Sequence, residues 1–110
     1  MRLFLLAGLG LALAALGAAC TPKPVTDTEF RGFCYTSGGG RHASCDSISL
    51  CNVFDSSVLS VKHASREDCS KACDAVADTL TADNQFNGCM PVVASGASWC
   101  RRYCLGNYPQ

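Results

Sequence analysis

A small disulfide-rich α+β domain is the fold class the sequence predicts: two short helices with Cys-x-x-x-Cys pairs, a small antiparallel sheet and four disulfides. Three observations lead there. Nine cysteines in 110 residues point to a disulfide scaffold in an oxidising compartment. Cys69/Cys73 and Cys100/Cys104 each set two sulfurs one helical turn apart. Between turn signals, the first half of the chain carries short runs of aromatic and β-branched residues, the composition of strands. The length is that of one domain, and 9 Lys+Arg against 9 Asp+Glu provide no basic field for nucleic acid.

Residues 1–19 read as a secretory signal peptide. Met1-Arg2 supplies one charge, and residues 3–19 are uncharged and rich in Leu, Ala and Gly. At about 1.5 Å rise per residue that stretch spans roughly 26 Å, short of a bilayer core. Gly8, Gly10 and Gly17 weaken it further as a membrane helix.

The stretch ends Leu16-Gly17-Ala18-Ala19-Cys20. Small residues ahead of a cysteine, directly after an apolar run, resemble the lipobox of bacterial lipoproteins. The resemblance implies a diacylglycerol on the Cys20 thiol, cleavage after Ala19 and acylation of the new amino terminus. The membrane is then a partner, and the location is the bacterial cell envelope, facing the periplasm or the exterior. Ordinary signal-peptidase cleavage after Ala19 is the competing reading. Cysteine parity favours the lipoprotein, because setting Cys20 aside leaves eight cysteines, an even number. Residues 20–29, with two prolines after the cysteine, read as the lipidated residue and an extended tether; residues 30–110 read as the cysteine-rich domain. Loss of Arg2 with the leader leaves a formal charge of −1, too small to steer a partner.

Within the domain, residues 30–36, 48–54 and 58–63 are strand candidates, with Asp55-Ser56-Ser57 as the turn between the last two. Residues 65–80 form the clearest helix. Ser65 is placed to cap it and Asp68 lies at the third helical position, while Cys69, Ala72, Cys73, Val76, Ala77 and Leu80 follow a helical apolar repeat. Residues 83–88 are turn-rich and residues 90–93 read as a short extended piece. A second helix is expected over residues 97–105, capped by Ser95 or Ser98 and stopped by Gly106.

Cys34, Cys45, Cys51, Cys69, Cys73, Cys89, Cys100 and Cys104 are the expected disulfide residues. Antiparallel packing of the two helices allows Cys69–Cys104 and Cys73–Cys100 among the 105 connectivities open to eight cysteines. The spacing resembles twin Cys-x-x-x-Cys hairpins, such as small mitochondrial chaperones and plant hairpin peptides, from which only the geometry carries over. A weaker resemblance to PAN/apple modules implies instead that a helix is bridged to a sheet.

No cofactor, metal or catalytic residue is expected. Zinc knuckles and redox centres favour Cys-x-x-Cys, which is absent from the sequence. His42 and His63 are the only histidines, and there is no Gly-x-Ser-x-Gly elbow to accompany one. Residues 37–41, Ser-Gly-Gly-Gly-Arg, read as a hairpin tip, Arg101-Arg102 as a solvated helix face, and the aromatic residues as core. The expectation is a non-catalytic, lipid-anchored binding or structural module with an envelope protein partner. A disulfide-locked protease inhibitor or secreted effector is the alternative.

Overall fold

A computed structural model describes residues 23–37 and 45–109, and among them there are four α-helices and no strand. The expected antiparallel sheet is therefore not found: the domain is all-helical. Cys20 with the leader, and His42 with most of the glycine run, lie outside the described residues.

Helix α1 covers Asp27–Tyr35. Thr26 caps it by accepting from the Glu29 amide at 3.1 Å, and its hydroxyl donates to the Glu29 carboxylate at 3.2 Å. Asp27 and Glu29 complement the positive end of the dipole. Phe30 and Cys34, one turn apart, form its buried stripe. Helix α2, Ser47–Phe54, is capped by Asp46, whose carboxylate accepts from both the amide and the hydroxyl of Ser49. It buries Cys51 and Phe54, then widens into a π-helical turn at Asp55–Leu59 that buries Val58 and Leu59. The expected strands 30–36 and 48–54 are thus helical up to Tyr35 and Phe54, the expected turn at residues 55–57 and the start of 58–63 lie in the π-helical turn, and residues 60–63 form the irregular link to α3. Short apolar runs fit either periodicity, and the capping residues decide for helix.

Helix α3, Arg66–Asp83, begins where the sequence places it, with the Ser65 hydroxyl accepting from the Asp68 amide at 3.1 Å. A turn follows in which Asn87 links the Asn84 side chain to the Cys89 amide, and Gly88 supplies the positive φ of 80°. Helix α4 is Met90–Asn107, much longer than the expected 97–105. Pro91 sits in its first turn, where its missing N–H costs no hydrogen bond, so residues 90–93 are helical and not extended. Neither Ser95 nor Ser98 is a cap, and Gly106 lies inside the helix.

Helix α4 is the centre of the domain, because all three other helices pack on it. Cys69–Cys104 and Cys73–Cys100 hold α3 against it in antiparallel register. Arg66, at the start of α3, donates to the Tyr108 and Leu105 carbonyls and so satisfies the carboxyl end of α4. Cys34–Cys51 ties α1 to α2, and Cys45–Cys89 ties the start of α2 to the start of α4. Gly96 explains how α1, α2 and α4 meet so closely. A β-carbon there would lie 2.6 Å from the Phe54 ring and 3.2 Å from the Cys34 sulfur. The buried side chains Phe30, Phe54, Val58, Val92 and Val93 fill the core among the bridges. A domain this small gains much of its margin from such staples, about 2–4 kcal/mol each.

The amino-terminal boundary also moves. Residues 21–29 were expected as an extended tether, yet Val25 is buried and Asp27 already opens α1. Asn107 donates to the Val25 carbonyl at 2.9 Å, and Pro24 lies against Gly106. The folded unit therefore begins by Pro24.

Candidate functional site

A surface groove lies where the chain enters the domain. It is lined by Lys23, Pro24 and Val25 of the entering segment, Glu29 and Phe33 of α1, and Trp99, Arg102 and Leu105 of α4. Contacts between α1 and α4 hold this lining in place. Phe33 on α1 and Trp99 on α4 stack with ring centroids 4.0 Å apart and planes 3° from parallel. The Arg102 guanidinium lies 4.5 Å from the Trp99 ring centroid, one turn along the same helix. Phe33 and Leu105 stay 46% and 43% exposed, so apolar area remains open on this face. The Gly106 approach to Pro24 and the Asn107–Val25 hydrogen bond fix the entering segment beside it.

The eight cysteines from Cys34 to Cys104 are all joined in four bridges. The pairs Cys69–Cys104 and Cys73–Cys100 form a stapled helical hairpin, and no helix is bridged to a sheet. Among the described residues no three His, Cys, Asp or Glu side chains converge as metal ligands.

The remaining sequence candidates fall apart from one another. His63 Nε2–H donates to the Val58 carbonyl at 2.8 Å, its amide donates to the Tyr108 hydroxyl, and its ring meets Tyr108 edge-on. These contacts hold the loop before α3, and among the described residues no serine or carboxylate hydrogen-bonds to the imidazole. Arg101 pairs with Asp74 at 2.8 Å across α3 and α4. Ser37 closes α1 by donating to the Cys34 carbonyl. Tyr103 is partly buried, and that burial, with the charges of Asp27 and Asp55, raises its phenol above the usual tyrosine range.

Of the aromatics read as core, Phe30 and Phe54 are fully buried and meet edge-to-face at 6.3 Å. Phe33 and Phe86 are not core: Phe86 is 98% exposed in the turn before α4. Sequence reasoning missed the groove because Lys23 and Pro24 were assigned to the tether and residues 30–36 to a strand. The available signal was Trp99 with Arg102 three positions on, together with Thr26-x-x-Glu29 as a helix start. Compared with known proteins, the chain matches no family model, no curated protein and no solved structure.

Proposed function

We propose that the chain is an exported bacterial lipoprotein, held on a membrane through Cys20, whose four-disulfide helical domain is a non-catalytic binding or structural module of the cell envelope. One observation carries this reading: the eight cysteines after Cys20 are consumed by four mutual bridges, so Cys20 is the one cysteine left for another use. It stands directly after the small-residue end of an apolar leader, where the lipobox resemblance puts the acylated residue. Four bridges also suit an oxidising, exported setting. Among the described residues no helix is long and apolar enough to cross a membrane; in this reading the acyl chains on Cys20 hold the domain at the bilayer.

The inhibitor reading lacks such support. Arg101 and Arg102 lie in α4, one paired with Asp74 and the other over Trp99, and not on a presented loop.

Intact mass of the membrane fraction, with disulfide mapping, tests the proposal. The expected species has lost residues 1–19, carries acyl chains on Cys20 and shows no free thiol when denatured without reductant. A soluble mature form with unmodified Cys20 refutes it.

A further inference from the structure

We infer that the groove face of Phe33, Trp99 and Leu105 rests on the lipid headgroup layer of the membrane that holds Cys20. The inference builds on the lipid-anchor reading and adds an orientation to it. Cys20 precedes Lys23 by three residues, which span at most about 11 Å when fully extended. Lys23 lines the groove, and from Pro24 onward the chain is packed against Gly106 and bonded to Asn107. A lipid on Cys20 therefore holds this end of the domain, and no other, within a few residues of the bilayer surface.

The groove has the chemistry such a position requires. Phe33, Trp99 and Leu105 offer large apolar side chains that the fold leaves partly open. Aromatic rings with basic neighbours settle at the boundary between headgroups and acyl chains. Lys23 and Arg102 supply two cations for anionic headgroups, against one carboxylate from Glu29. Arg102 holds its guanidinium over the Trp99 ring, 4.5 Å from the centroid, so that cation and aromatic ring share this face. Phe86, the most exposed large apolar side chain, does not share this face. It precedes α4, and the 16 residues of rise from Cys89 to Leu105 put the two ends roughly 24 Å apart.

Trp99 is the only tryptophan, so its fluorescence reads this face alone. The full-length processed protein is reconstituted into phosphatidylethanolamine–phosphatidylglycerol vesicles, with and without lipids brominated near the top of the acyl chain. Intact mass is recorded on the same sample. Trp99 emission is expected to fall in the brominated vesicles relative to the unbrominated ones. Phe33→Ser and Leu105→Ser should weaken that quenching, whereas Phe86→Ser should leave it unchanged. An acylated protein whose Trp99 is untouched by bromine but open to aqueous acrylamide overturns the orientation and leaves the anchor standing. Shielding from both quenchers means that a second copy of the protein covers the groove, and equally overturns it. A mass without acyl chains removes the anchor, and the inference falls with it.

Discussion

Arg31 directs two guanidinium nitrogens at a single carboxylate oxygen, Asp55 Oδ2, at 2.8 and 2.7 Å. The other oxygen, Oδ1, is buried without a hydrogen-bond partner. The hydrogen bond and the Asp55 charge raise the Arg31 pKa above its usual value. The pair thus joins α1 to the π-helical turn through a half-satisfied carboxylate. Removing one partner of such a pair leaves a buried group with nothing to replace water. Arg31→Ala should therefore lower the urea midpoint more than the Arg31→Ala/Asp55→Ala double variant does. A double variant less stable than Arg31→Ala contradicts this account.

The bridges should not rank by sequence separation. Cys69–Cys104 spans 35 positions and Cys34–Cys51 spans 17. With Cys73–Cys100 intact, however, Cys69–Cys104 closes only the short ring through residues 69–73 and 100–104. Loop entropy then assigns it about 2.5 kcal/mol instead of about 4, against about 3 for Cys34–Cys51. Paired Cys→Ala substitution should thus cost less at Cys69/Cys104 than at Cys34/Cys51, as read by denaturant titration under non-reducing conditions.

Two glycines should respond oppositely to alanine. At Gly32, within α1, a β-carbon meets nothing within 4 Å, so Gly32→Ala should stabilise the domain by about 0.5–1 kcal/mol. At Gly96 the same atom runs into the Phe54 ring and the Cys34 sulfur, and Gly96→Ala should cost about 1–3 kcal/mol. Thermal melts of the two variants decide both signs.

Asp46 links stability to acid. Hydrogen bonds from the Ser49 hydroxyl, then the Ser49 amide, hold its carboxyl below the ordinary value of 3.8. The folded state therefore favours the ionised form, and its contribution is present above the ordinary value and lost as pH falls through the lower folded one. Asp46→Asn keeps an N-cap without the titration. In urea titrations carried down to about pH 2, the wild type should lose stability more steeply than Asp46→Asn in that acid window.

Helix α3 was legible because eighteen residues carry both a cap and a sustained apolar repeat. Helices α1 and α2 were not, since each has only two buried positions and a short apolar run fits a strand as well. Their caps, Thr26 and Asp46, were the deciding residues. The start of α4 was hidden by Met90-Pro91-Val92-Val93, whose β-branched pair reads as extended until proline is placed in a first turn. Gly106 read as a stop for the opposite reason. Inside a helix its purpose is the approach of Pro24, a contact across the whole chain that local pattern cannot reveal. The groove inherits this difficulty, because residues 23–33 and residues 99–105, far apart in sequence, line it together.

The hydrogen bond from Asn107 to Val25 joins positions 82 residues apart. A polypeptide that emerges amino end first cannot make that contact until Asn107 is out. Until then this bond cannot hold the entering segment beside α4. Completion of the groove therefore waits on α4: a chain truncated before Trp99 would keep Lys23, Pro24, Val25 and Phe33 but lack Trp99, Arg102 and Leu105.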